Sequence, residues 1–160
     1  MADPNPFAAL SLIVAPAILT NACSVLVSST STRFARAVDR ARDLARQLDG
    51  APAGDEGTPR RLREMLAAEE RSLLLLRAMR SAYVALSGFA SAALISLVGA
   101  VLLTLAPRWL SSSLELLGIA AGIIAVASVI HASSLLVRDT RIAVTVLQER
   151  AAEIQSRMRR

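Results

Sequence analysis

The fold is decided by residues 4–32, PNPFAALSLIVAPAILTNACSVLVSSTST, which include no charged side chain. Two further uncharged stretches follow, SAYVALSGFASAALISLVGAVLLTLAP at 81–107 and LLGIAAGIIAVASVIHASSLLV at 116–137. About 20 apolar residues in a helix cross the hydrocarbon core of a bilayer, so each stretch is long enough to span one. The predicted fold class is therefore all-α, an integral membrane protein in a single domain. The predicted spans are about residues 7–32, 81–106 and 116–137.

The composition supports this prediction and excludes other classes. The chain is 54% hydrophobic but only 3% aromatic, so its apolar mass is aliphatic. All 18 basic residues are arginine, for which a GC-rich bacterial genome is the simplest explanation. They are interleaved with 13 acidic residues. Because nucleic-acid binding needs a coherent basic face, we predict no nucleic-acid partner.

The first span could also be read as a secretory signal peptide. Such a peptide needs positive residues before its apolar core, and here only Asp3 and the amino terminus precede it. We therefore expect the first span to be kept in the protein. Cys23 is the chain's one cysteine, and we predict that it is a small helix-packing residue with no disulfide partner in the chain.

The positions of the arginines predict the orientation of the spans. Eleven lie in residues 33–80, six in residues 138–160, and one in the short link between the second and third spans. Positive residues near span ends stay in the cytoplasm. We therefore predict a cytoplasmic helical hairpin at 33–80, a cytoplasmic helix at 138–160 and an external N-terminus, in the bacterial inner membrane. The basic residues expected to flank the membrane are Arg33, Arg36, Arg40, Arg77, Arg80, Arg138 and Arg141.

Helix-start and helix-stop signals extend each span into a long rod. Glycines and prolines cluster between residues 50 and 59, which predicts a turn there. The predicted helices run over residues 6–49, 59–106 and 113–160, with Ser112 and Glu115 at the spacing of a capping box before the third. Pro16 lies inside the first helix, where it predicts a kink.

The predicted cytoplasmic halves contain apolar residues at alternating four- and three-residue steps. This spacing is typical of a coiled-coil seam, so we predict that these residues pack the halves into a bundle. The predicted seams are Phe34, Val38, Ala41, Ala45 and Leu48 in the first helix, Leu62, Leu66, Leu73 and Leu76 in the second, with Glu69 interrupting, and Val144, Leu147, Ala151, Ile154 and Met158 in the third.

Two patterns inside the spans are candidate functional features. The first is a set of polar residues in the half nearer the cytoplasm, which could be interhelical hydrogen bonds or a wet vestibule or proton relay. The second is a set of small residues at four-residue steps, which could pack helices within one chain or between copies. The polar set is Asn21, Ser24, Ser28, Ser87, Ser91 and His131. The small set is Gly88, Ala92, Ser96, Ala100, Gly118 and Gly122.

The chain resembles a known family in the segment that follows its first span. The span ends in Asn21, Ser24, Val25 and Leu26, and TRFARAVDRAR follows at 32–42. This pattern is similar to the bacterial membrane family catalogued as domain of unknown function 2721. The resemblance covers nearly the whole chain, including RDTR at the exit of the third span. It implies the membrane architecture and no activity.

A shorter resemblance lies in the second span. The run LSGFA at residues 86–90 is similar to part of the pore helix of the Orai calcium channels. Where that family has its outer carboxylate, seven residues after the phenylalanine, this chain has Ser96. The resemblance therefore does not imply calcium selectivity.

Residues that could support catalysis are few. One histidine, one cysteine and one tyrosine cannot form a metal site or a nucleophile triad, and no phosphate loop is present. We predict a non-enzymatic protein with no metal and no cofactor. Our leading hypothesis is a homo-oligomer that could surround an ion-permeable path. The alternative is an auxiliary or scaffold subunit packed against a larger membrane complex.

Overall fold

The computed structural model describes residues 6–52, 55, 57–102 and 108–159, without the side chains of 6–13, 100–102, 108–111, 150, 153 and 157. Over this part of the chain the fold is entirely helical. The helices are α1 (Pro6–Asp49), α2 (Thr58–Leu102) and α3 (Arg108–Met158). Each is long and apolar enough to cross a membrane. The all-α prediction and its three span-length helices are thus confirmed.

The ends of the helices agree with the sequence except at the start of α3. Helix α1 has its predicted bounds and continues through Pro16. Helix α2 begins one residue early, and its predicted end at Ala106 lies outside the described residues. The predicted start of α3 at Ser113 is wrong, because the helix begins at Arg108. Serine hydroxyls can bond the carbonyl one turn earlier, so a short run of serines continues a helix as well as capping one.

The chain divides into two compact units. Unit 1 contains Met1–Ser28 and Arg80–Ala132, and unit 2 contains Ser29–Met79 and Ser133–Arg160. The core of unit 1 is built from Cys23, Ala85, Phe89 and Ala125. The core of unit 2 includes Leu74, Ala78 and Leu135. Cys23 is 4% exposed, which confirms that it is a packing residue.

Buried residues recur every seventh position along each helix. In α1 they are Cys23, Thr30, Ala37 and Leu44, in α2 Ala68, Leu75, Ala82 and Phe89, and in α3 Ala125, Ala132 and Asp139. Seven residues are two turns of a helix, so each helix buries one narrow stripe. Alanine is the commonest residue in these stripes, at five of the eleven positions, and it lets backbones approach closely.

The predicted seams differ from these buried stripes. The five seam residues of α1 are half-buried and lie beside the fully buried Ala37 and Leu44. In α2 and α3 the prediction of interior packing is wrong. The exposed residues of those two seams are Leu62, Leu66, Leu73, Leu76, Val144, Leu147, Ala151, Ile154 and Met158. The buried faces of α2 and α3 lie elsewhere on these helices, and they include Leu75 and Leu135 as well as alanines.

Candidate functional site

The most buried charge in the described chain belongs to an ion pair in unit 2. Arg71 Nε donates to Asp139 Oδ1 over 2.8 Å. The Asp139 side chain is 2% exposed and that of Arg71 is 31% exposed. A buried carboxylate left without its partner is strongly destabilising, so this pair holds α2 and α3 in one register.

Neither residue of this pair is among the predicted site residues, although Asp139 belongs to the RDTR motif. A signal for both was present. Asp139 occupies the third place in the stripe Ala132, Leu135, Asp139, Ile142, and Arg71 lies between Ala68 and Leu75. A charged residue at a position where the surrounding pattern is apolar is a candidate for a buried ion pair.

The polar set predicted from the sequence is exposed on the surface of its helices. Asn21, Ser24 and Ser28 on α1, Ser87 and Ser91 on α2, and His131 on α3 are all exposed. The Ser24 hydroxyl donates to the Thr20 carbonyl of its own helix over 3.0 Å. The face that α1 buries instead contains Cys23 and Thr30. The polar set therefore belongs to the outer surface of one chain.

The small residues divide into a tightly packed group and an open group. A Cβ on Gly88 would lie 2.8 Å from the Ala125 Cβ and 3.1 Å from the Ala121 carbonyl oxygen. A Cβ on Gly118 would lie 3.5 Å from the Ile95 side chain, whereas a Cβ on Gly122 would meet no atom of another described element within 4 Å. Gly88 is thus needed for contact between α2 and α3 within unit 1.

The other members of the small set are less informative. Ala92 and Ser96 are half-buried. The side chain of Ala100 lies outside the described residues. The prediction that small residues permit close helix packing is supported at Gly88 and within a single chain.

The basic residues predicted to flank the membrane are exposed. One of them is paired across helices, because Arg40 on α1 donates to Glu64 on α2 over 3.0 Å, and Arg60 reaches the other oxygen of Glu64 over 3.2 Å. Such exposed pairs contribute little to stability. The remaining exposed members are Arg33, Arg36, Arg77, Arg80, Arg138 and Arg141.

A metal site is not formed by the described side chains, since no three of His, Cys, Asp and Glu lie close enough together to share an ion. The candidate features of the described residues are a buried ion pair, a close glycine contact and an exposed apolar surface with polar residues within it.

Comparison with known proteins identifies one relationship. A family model described as protein of unknown function (DUF2721) matches residues 13–149. No curated protein and no solved structure matches the chain.

Proposed function

This chain belongs to the DUF2721 family, and we propose that it is an integral protein of the bacterial inner membrane that assembles with copies of itself around a path for small ions. The family description assigns no activity, so the proposal depends on the physical properties of the chain. The proposal has three parts, namely that the chain inserts into the membrane, that it assembles with copies of itself and that the assembly conducts ions.

The exposure of the most hydrophobic segment of each helix is the observation that supports the proposal. In α1, α2 and α3 only 11%, 22% and 6% of this segment is buried. Soluble monomers rarely expose apolar patches larger than a few hundred Å². In a bilayer the same surface faces lipid tails, which solvate it without cost. Seventeen of the 18 arginines flank the predicted cytoplasmic ends of the spans, which supports an external N-terminus and a cytoplasmic C-terminus.

Self-assembly is supported by the exposed polar set of unit 1. Asn21, Ser87 and His131 stand among apolar side chains on the surface of their helices. Polar and ionisable groups within a membrane are expensive unless they face protein or water. One chain of this size cannot enclose water, so several copies are needed to place these groups along a shared interior. Arg80 lies at the cytoplasmic end of that surface, where like charges from several copies attract anions.

Ion flux into liposomes that contain the purified protein tests this function. We expect small ions to pass, and we expect Arg80→Gln to lower the preference for anions. Arg63→Gln is the matched control, because it removes an exposed arginine from the same helix at a position far from the proposed path. Liposomes that hold the intact oligomer and pass none of a panel of monovalent and divalent ions would exclude the pore.

A second candidate function is favoured by the end of α3. Every described side chain from Leu147 to Met158 is exposed, including Leu147 at 68% and Ile154 at 58%. Such a helix could dock its apolar face on another polypeptide, as an auxiliary or scaffold subunit does. Measuring the mass of the assembly in native lipid separates the two functions. A single copy beside other polypeptides would favour the auxiliary subunit, and several copies alone would favour the homo-oligomer.

A further inference from the structure

Two exposed stripes on unit 2 have the same residue spacing, and each places apolar side chains on both sides of one charge. The α2 stripe is Leu62, Leu66, Glu69, Leu73 and Leu76, and its leucines are 45–52% exposed. The α3 stripe is Val137, Arg141, Val144 and Gln148, with the two valines 52% and 46% exposed. Both advance by steps of four and three residues, which keeps each stripe on one helix face. Each is interrupted by one exposed charge, and the two charges have opposite signs.

The two interrupting charges lie at the same level along the helices. Arg71 and Asp139 are in contact, and Ala78 packs in one cluster with Leu135, so α2 and α3 run antiparallel in unit 2. Two residues before Arg71 is Glu69, and two residues after Asp139 is Arg141. Both helices rise 1.5 Å per residue, so Glu69 is level with Arg141. By the same count Leu66 is level with Val144 and Leu73 with Val137.

The two stripes face away from each other within a chain. Two residues along an α-helix are a rotation of about 200°. Arg71 points toward α3, so Glu69 points away from it, and by the same rotation Arg141 points away from α2. The apolar residues of both stripes share these outward faces. Their complementary partners must therefore come from outside the chain.

We propose that the α2 stripe of one copy packs on the α3 stripe of a neighbouring copy, with Glu69 paired to Arg141. This proposal rests on the homo-oligomer proposed above and names its interface. Copies in one membrane are related by rotation about the membrane normal, and this rotation keeps every residue at its own height. Glu69 of one copy is therefore at the height of Arg141 of the next, with Leu66 against Val144 and Leu73 against Val137.

Charge excludes the two other arrangements of these stripes. Packing α2 on α2 would bring Glu69 to Glu69 at equal height, and packing α3 on α3 would bring Arg141 to Arg141. Like charges placed together across an interface disfavour it, and opposite charges fix partner and register. Only the α2-to-α3 contact pairs opposite charges at equal height, with an apolar pair on each side, Leu66 with Val144 and Leu73 with Val137.

Site-directed cross-linking tests this contact directly. In a Cys23→Ala background, two differently tagged forms of the full chain, Leu66→Cys and Val144→Cys, are produced together in one membrane and treated with an oxidant. We expect a cross-linked dimer that bears both tags and little product from either form alone. Efficient cross-linking of Leu66→Cys to itself or of Val144→Cys to itself, without the mixed product, would overturn the proposal.

Charge exchange tests the pairing by an independent readout, the mass of the assembly in detergent that retains lipid. Glu69→Arg and Arg141→Glu should each lower the oligomeric fraction severalfold, and the double variant should regain it. Glu70→Arg is the matched control, because it makes the same charge change at an exposed neighbour outside the stripe. Equal losses in Glu69→Arg and Glu70→Arg, with no recovery in the double variant, would also overturn the pairing.

The outcomes separate this interface from the function on which it rests. If the unaltered chain is monomeric in native lipid, the homo-oligomer and the interface both fail. If it is oligomeric while the mixed cross-link is absent and charge exchange has no effect, only the interface fails.

Discussion

At the scale of single residues, the Arg71–Asp139 pair is expected to be the most sensitive polar contact described in unit 2. Arg71→Ala leaves the buried Asp139 carboxylate without its partner and should lower the free energy of unfolding by about 3–5 kcal/mol. Asp43→Ala is the control, because Asp43 and Arg46 form an ion pair whose side chains are 54% and 77% exposed. Loss of this exposed pair should lower the free energy of unfolding by at most about 1 kcal/mol. Unfolding in detergent, followed by circular dichroism, measures both.

Replacing both partners of the ion pair with apolar residues tests whether the loss of stability comes from an unpaired charge. A buried ion pair that is replaced on both sides by apolar groups often loses little stability. The double variant with Arg71→Met and Asp139→Leu should therefore be more stable than Arg71→Ala. If the double variant is the less stable of the two, Asp139 has a role besides pairing with Arg71.

The glycine contact in unit 1 gives a second prediction at this scale. Gly88→Ala places a methyl group 2.8 Å from the Ala125 Cβ, so α2 and α3 must separate, with an expected loss of about 1–3 kcal/mol. Gly122→Ala meets no described atom within 4 Å and should be neutral or stabilising by up to about 1 kcal/mol, since alanine favours helix. Equal effects of the two substitutions on unfolding in detergent would argue against the close contact.

At the scale of helices, the sequence predicted existence and length well and the buried face poorly. Long uncharged runs and the turn near residue 50 were sufficient to define α1 and most of α2, because charge and proline restrict where a helix can run. The face was misjudged because leucine was taken to mark the interior. The structure exposes Leu73 and Leu76 but buries their neighbours Leu74 and Leu75, so the leucines alone do not identify the buried face.

The buried face of α2 can be tested at two of its alanines. Ala85 is fully buried, so Ala85→Leu should force α2 away from its neighbours and cost about 1–3 kcal/mol. Ala90→Leu makes the same change at an exposed position of α2 and should leave the free energy of unfolding nearly unchanged. Chemical unfolding in detergent compares them, and a larger loss in Ala90→Leu would place the interior of unit 1 on the opposite face of the helix.

At the scale of the whole molecule, the candidate sites were only partly accessible to sequence reasoning. The polar set could be located from its spacing, because a polar residue in an apolar run is conspicuous. Its orientation could not be predicted. The spacing shows that residues share one helix face, but it does not show whether that face packs on another helix or lies on the surface. Arg71 and Asp139 each interrupt an apolar pattern, which marks them as candidates, but they lie 68 positions apart and only the register of α2 against α3 shows that they pair.

The orientation of the chain in the membrane decides on which side each proposed surface lies. These surfaces are the polar set of unit 1 and the α2 and α3 stripes of unit 2. In a Cys23→Ala background, Gly50→Cys places a thiol in the predicted cytoplasmic turn and Ser112→Cys places one in the predicted external link; both positions are exposed. An impermeant thiol reagent added to intact cells should label Ser112→Cys and not Gly50→Cys, because the arginines hold the turn inside. Opening the cells should make Gly50→Cys reactive, which shows that its thiol is accessible. Labelling of Gly50→Cys in intact cells would show that the orientation is the opposite of the predicted one. The α2 and α3 stripes would then lie on the external side of the membrane.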